Sequence, residues 1–241
     1  MNIVEPAVQL LAHTAIVPDA VEQRLEIQEG STDAETLTVY AGRSCYESWS
    51  RPSEKTREDK DYLRRTLFEQ GHFSILEHAS ATFYLTGVSR ALLAEITRHR
   101  HLSFSVRSQR FVSEEEASIV IPPAAKKSES VVVYDYEEFR DDLDGSLAEA
   151  LEWWGQKAVW NYEEIVEALQ GEGLPRKQAR EAARAVLPNM TETRIVVTGN
   201  LRAWHEVIAR RTAPDADAEF QQVAGLIRDE LKKIAPAIFT D

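Results

Sequence analysis

The chain has 241 residues, 43% of them hydrophobic, with 28 basic and 40 acidic side chains and a formal net charge of −12. That balance suits a soluble globular protein of one or two domains with a sizeable core, and it argues against a general nucleic-acid binder. A single cysteine, Cys45, excludes an internal disulfide and cysteine-based zinc sites and fits a reducing cytoplasm.

In chain order, MNIVEPAVQLLAHTAIVPDA shows no basic n-region and no small-residue cleavage pattern, so no signal peptide is expected. No window approaches the roughly 18 uninterrupted apolar residues of a membrane helix. Residues 8–17 read as a strand in which His13 is structural. Residues 34–48 and 56–71 read as helices, the second closed by Gly71. Residues 78–88 alternate β-forming side chains and read as a strand. Ser89 is placed to cap a short helix bearing Leu92, Leu93 and Ile96, with Arg98, His99 and Arg100 at its end. Residues 118–123 are strand-like until Pro122 and Pro123 stop them, and the region around 124–147 carries little pattern. Residues 148–170 are helical, with Trp153, Trp154 and Trp160 assigned to core or subunit interface. Residues 174–188 form a strong helical pattern, with Pro175 near its start and Pro188 after it. A strand over 193–200 and helices over 201–211 and 218–235 close the chain. The mixture is α+β, and no linker divides it, so residues 1–241 are expected to form one domain.

The glycines form neither GxGxxG nor GxxxxGK[ST], so any nucleotide must be held by side chains and helix ends. Against this acidic background, RHRHLSFSVRSQR (98–110) contains four arginines, two histidines and three serines and no acid. Ser103, Ser105 and Arg107 alternate with Phe104, Val106 and Ser108, which suggests an extended run. Arginine forks suit phosphate oxygens, and serine hydroxyls add neutral donors. An isolated Arg-His-Arg triplet reads most simply as a solvated basic face; the longer serine–arginine pattern points to a small anionic ligand. Glu114–Glu116 read as solvated surface and Cys45 as a small core residue on a helix. His78 fits a ligand contact or a hydrogen-bonded core or interface position equally. The histidines lack ligand spacing, so no metal site is expected.

RHRHLSFSVRS resembles the signature of flavin-dependent thymidylate synthases, in which Arg-His-Arg is followed by seven residues and a serine. AGRSCYESWSRP (41–52), GHFSILEHAS (71–80), RKQAREAARAVLPNMTETRIVVTGN (176–200) and LRAW (201–204) resemble further blocks of that family in the same order. The resemblance spans residues 8–239. It implies an α/β fold with a mixed sheet flanked by helices, and a cytoplasmic homotetramer whose active sites are shared between subunits. It further implies conversion of dUMP to dTMP, with 5,10-methylenetetrahydrofolate as carbon donor and NADPH as reductant through bound FAD. The expected partners are these small molecules and further copies of the chain, not a nucleic-acid polymer or a membrane.

Residue by residue, the resemblance implies that Ser74 (with His72 beside it), Arg98, His99, Arg100, Asn200 and Arg202 contact FAD. Glu95, Arg98, Ser108, Gln109, Arg110 and Arg184 are expected on dUMP, with Ser108–Arg110 gripping its phosphate. Arg176, Lys177 and Arg180 either attract the folate or the NADPH phosphates or form a solvated helix face. Arg211 is expected to polarise the uracil ring and is the catalytic group. Uracil C5 is a poor nucleophile, and a fixed guanidinium can stabilise the charge that develops as it attacks. That route needs no cysteine nucleophile, and the flavin supplies electrons that side chains cannot.

Three positions depart from the family pattern. Val106 stands where Gln or Glu is common, Glu206 where His or Asn is common, and Asp215, after Pro214, where a histidine is usual. Drift is the plainer reading. New acids near the ring would also suit an alternative, flavin-dependent C5 hydroxymethylation of dUMP or dCMP with water trapping the methylene adduct. A flavin- or nucleotide-binding protein without turnover is a third reading, which the presence of Arg211 disfavours.

Overall fold

The computed structural model describes residues 2–128, 131–132 and 145–240. Strand β1 (Ala7–His13) leads through α1 (Pro18–Glu22) to α2 (Asp33–Ser44). Thr32 caps α2 reciprocally: its hydroxyl accepts from Glu35 N while the Glu35 carboxylate accepts from Thr32 N. The helix stops at Ser44, short of the expected residue 48, because Glu47 and Arg51 adopt left-handed backbone, with φ of 48° and 52°.

The helix expected over 56–71 is composite. A 3-10 turn (Glu54–Thr56), α3 (Asp59–Leu63) and a π-helical stretch (Arg64–Glu69) follow one another before Gly71. Asp59 is pinned at the start of α3 by Arg51 and Ser31. After the 3-10 turn Phe73–Glu77 come β2 (Ser80–Ser89), α4 (Arg90–Ile96) and β3 (Leu102–Val106). Residues 118–123 are not a strand: Ile119 makes isolated bridges to Ile3 and Thr191, and the prolines, lacking N–H groups, lead into α5 (Pro123–Lys126). The short pair β4 (Val131–Val132) and β5 (Gly145–Ser146) precedes α6 (Leu147–Gly171) and α7 (Arg176–Ala183). Residues 133–144, inside the weakly patterned region, lie outside the described residues. A 3-10 turn (Arg184–Val186), β6 (Glu192–Asn200), α8 (Leu201–Arg211) and α9 (Ala218–Ile234) complete the order.

The main sheet has the order β1-β2-β6-β3 and is antiparallel at every pairing, which corrects the expected mixed sheet. Strands β2 and β3 run in the same direction. Strand β6 lies between them and pairs with both, so the segment through α4 crosses from β2 past β6 to β3. Ser80 pairs with Asn200, Leu102 with Gly199 and Val106 with Ile195. The end of β6 therefore lies beside the starts of β2 and β3.

Alternate residues of β2 and β6, including Phe83, Leu85, Ile195 and Val197, are fully buried in the main core with Trp204, Phe220 and Ile227. Phe83 packs edge-on to Trp204 at 5.1 Å, and Trp204 Nε1 donates to Ala81 O at 3.1 Å. A Cβ on Gly199 would displace the end of the Leu102 side chain and crowd the Trp204 indole, so glycine lets β3 and α8 close on β6 there.

Three structural assignments change. His13 is exposed because it ends an edge strand, and Cys45 is exposed because it lies at the C-cap of α2 rather than on a buried helical face. Trp153 and Trp154 are half-buried, but Trp160 is 54% exposed and so is not core. No helix among the described residues is long and apolar enough to cross a membrane.

Arg51 and Asp59 form a buried pair with Nη1 and Oδ1 2.6 Å apart, and Asp59 also accepts from Ser31 Oγ at 2.9 Å. Asp59→Ala should leave the guanidinium buried without its carboxylate and cost about 3–5 kcal/mol. Urea denaturation should show a lower midpoint with an unchanged slope.

Candidate active site

Two caps aim the site. Asn200 ends β6 and starts α8, its Oδ1 accepting from Ala203 N at 2.8 Å. Ser89 ends β2 and caps α4 by accepting from Leu92 N at 3.0 Å. On α8, Arg202, Glu206 and Arg210 recur every four residues and so share a face. Opposite that face, the turn after α4 carries Arg98 to His101.

Between these surfaces lies a groove of two linked compartments, about 250 and 230 Å³. The first is lined by Arg98, His99, Arg100 and Arg210; the second by Glu77, Asn200 and Arg202; His101 and Glu206 line both. Arg202 forms an ion pair with Glu77, and its Nε lies 3.6 Å from Glu206 Oε1. Five of the expected flavin contacts are thus brought together. The sixth, Ser74, is exposed in the Phe73–Glu77 turn and outside the groove lining, while His72 lines a separate cavity with Tyr46 and Tyr62. His78 is exposed and so is not a core residue.

The triplet divides by direction. Arg98 and Arg100 are exposed, whereas His99 turns inward. Arg211, at the end of α8, donates from Nε to His99 Nε2 at 3.0 Å and from Nη1 to Glu95 Oε2 at 3.1 Å. Its guanidinium carbon lies 4.7 Å from the centre of the Phe220 ring. Because His99 Nε2 accepts, the ring is neutral with its proton on Nδ1. Burial lowers the His99 pKa, and the positive charges of Arg211 and Arg210 lower it further.

The remaining predicted residues gather at the other end of β3. That strand has five residues and so four rises between its end residues, which lie about 13 Å apart. Ser108 and Arg110 are half-buried, Gln109 is buried, and Arg184 is exposed. Gln109 Nε2 has no hydrogen-bond partner among the described residues. Arg110 pairs with Glu181 at 3.3 Å, and Arg107 with Glu114 at 3.3 Å. Glu114 is 1% exposed, so the acidic run is not all solvated; only Glu115 and Glu116 are exposed. Burial raises the Glu114 carboxyl, opposed by Arg107 and Arg90, and burial lowers the Arg90 guanidinium. Arg180 is buried and donates to Phe111 O at 3.0 Å, while Lys177 Nζ sits 4.7 Å above the Phe111 ring. Arg180 therefore holds a loop in place, whereas Arg176 and Lys177 are exposed on the outer face of α7.

Of the three departures, Val106 is half-buried on β3, Glu206 faces the groove, and Asp215 is exposed between α8 and α9. The sequence reading missed His101, Glu77, Arg210 and Phe220. His101 adjoins the triplet and Arg210 follows Glu206 by one helical turn, so both carried a signal. Phe220 carried none.

A family profile described as thymidylate synthase complementing protein matches residues 27–237. The chain belongs to this family. It is 44% identical over 245 residues to a flavin-dependent thymidylate synthase of Mycobacteroides abscessus, an alignment covering 100% of this chain and 91% of that protein. It is 48% identical over 212 residues to a probable flavin-dependent thymidylate synthase of Mycobacterium phage L5, covering 88% and 82%. Over 221 residues it is 44% identical to a flavin-dependent thymidylate synthase of Mycobacterium tuberculosis, again covering 88% and 82%.

This family member should lose stability in mild acid. Burial depresses His99 and His205 below the ordinary value of 6.5, so the unfolded chain takes up protons that the folded one refuses. Their contribution is present above pH 6.5 and is lost as pH falls through the depressed values. Thermal melts across that range should show a falling Tm. His99→Gln keeps an acceptor for Arg211 Nε but cannot titrate there, so it should flatten the decline. The difference between the two proteins isolates His99 from Glu114 and Glu219, whose raised carboxyls act in the opposite sense.

Proposed function

We propose that this chain converts dUMP to dTMP as a flavin-dependent thymidylate synthase. The carbon comes from 5,10-methylenetetrahydrofolate and the reducing equivalents from NADPH through FAD. The working form is a cytoplasmic homotetramer of single-domain chains. The observation that carries the reading is the fixed guanidinium of Arg211, held by Glu95 and by the groove-lining His99 in a member of this family.

The residues present fit FAD. Arg98, Arg100, Arg202 and Arg210 surround the two compartments and suit a pyrophosphate, and Asn200 adds an amide. When bound, FAD supplies the two-electron redox chemistry. At the other end of β3, Arg110 and Arg184 suit the dUMP phosphate, and Gln109 offers a buried donor that lacks a partner.

Across the overall reaction, the methylene carbon bonds to uracil C5, the C5 hydrogen leaves as a proton, and tetrahydrofolate departs. A hydride equivalent from NADPH completes the methyl group. Arg211 supplies positive charge where the ring gains electron density, and Glu95 and His99 keep that charge oriented.

The test is mass spectrometry of the nucleotide made from dUMP and dCMP together with methylenetetrahydrofolate and NADPH. dTMP is expected. A hydroxymethyl product, or one from dCMP, would move the function to the alternative chemistry, and bound flavin and dUMP without product would leave only a binding protein. Glu206 is engaged by Arg202, and neither it nor Asp215 is a partner of Arg211, so no contact favours the alternative. Arg211→Ala should retain flavin and lower turnover about 10²–10³-fold; unchanged turnover would remove Arg211 from the ring chemistry.

A further inference from the structure

We infer that the first turn of α9 is a positioning element for Arg211 and His99, acting through Phe220 and Glu219. The inference rests on the proposed activity only for its kinetic readout.

Phe220 is fully buried and touches both groups. Its ring lies 4.7 Å from the Arg211 guanidinium carbon and meets the His99 ring edge-to-face at 5.8 Å and 84°. Hydrogen bonds to Glu95 and His99 fix two donor edges of Arg211. The aromatic face beneath the guanidinium fixes its plane. The same ring limits the tilt of the imidazole that accepts from Arg211 Nε.

The preceding residue acts at the far end of the same segment. Glu219 is 7% exposed, and its carboxylate accepts from Ser89 N at 2.7 Å and from Ser89 Oγ at 2.5 Å. Ser89 in turn caps α4, which carries Glu95 and ends just before His99. Capping α9 does not require Glu219, because Asp217 already accepts from Phe220 N at 3.0 Å. The buried carboxylate therefore serves α4. Two adjacent residues thus grip residues 89–99 at both ends, and Arg211 is held against that segment.

Two readouts test this. The first is the rate at which butanedione modifies Arg211, followed by peptide mass spectrometry without turnover. The second is kcat and KM for dUMP, normalised to bound flavin. Phe220→Leu should keep flavin and secondary structure, expose Arg211 to several-fold faster labelling, and lower kcat about 10- to 100-fold with a much smaller change in KM. Glu219→Ala should act in the same direction. Glu219→Gln should restore near-normal behaviour, since its amide can accept from Ser89 N and donate to Ser89 Oγ. Wild-type labelling and kcat in Phe220→Leu would overturn the inference, as would equal impairment in Glu219→Gln and Glu219→Ala. Should Phe220→Leu fail to fold, the Glu219 pair decides through labelling. Wild-type protein that makes no dTMP would defeat the proposed function and leave the labelling test of positioning intact.

Discussion

The site depends on one strand pairing. Strand β6 enters between β2 and β3 from more than eighty residues further along the chain and hydrogen-bonds to both. Without it, α8 would not start beside the turn that carries Arg98 to His101, and Arg211 would not reach His99. The pairing is specified by alternation, since Phe83, Leu85, Ile195 and Val197 all face the core. A one-residue slip would turn these side chains to the opposite face. Gly199 adds a second constraint, because a side chain there would displace Leu102 and crowd Trp204.

Electrostatics then refines what topology has assembled. In a chain of net charge −12, the cations near the site are oriented by selected acids. Glu77 orients Arg202, Glu95 orients Arg211, Glu114 holds Arg107, and Glu181 holds Arg110. These pairs differ in strength. Arg98 is 75% exposed and 4.0 Å from Glu95, a screened contact of little worth in either direction. Arg211 is 19% exposed, so the same carboxylate holds it in a less watery setting. One acid thus leaves Arg98 free to meet a ligand while it immobilises Arg211.

What the sequence made legible were units whose signal is local. Ser89 and Asn200 each follow a strand and precede a helix, and a short polar residue there caps the first turn. The bounds of α8 came out at Leu201–Arg211 for the same reason. Errors arose where distant contacts overrode local pattern. The helical periodicity of 56–71 continues past Asp59, yet the buried pair with Arg51 fixes where α3 starts. Glu114 resembles its exposed neighbours in sequence and is buried only because Arg107 and Tyr162 surround it. Of the groove, Arg98, His99, Arg100, Asn200 and Arg202 were named through family resemblance, whereas His101, Glu77 and Arg210 were not. Phe220 was not, since a buried phenylalanine on an amphipathic helix is what any core requires, and only its distance to Arg211 sets it apart.

That distance explains how a flexible arginine can serve as a fixed charge. A free arginine side chain samples many rotamers, and orienting it during a reaction would cost entropy. Here Glu95, His99 and Phe220 remove that freedom beforehand, and the low-pKa imidazole of His99 accepts from Arg211 without adding a second positive charge. Among the described residues, the one part of the guanidinium without a hydrogen-bond partner is Nη2. The enclosure thus commits two of the five N–H donors and leaves those of Nη2, with the second on Nη1, on a preoriented cation, which is the arrangement that stabilises charge on a bound ring without reorganising as the charge forms.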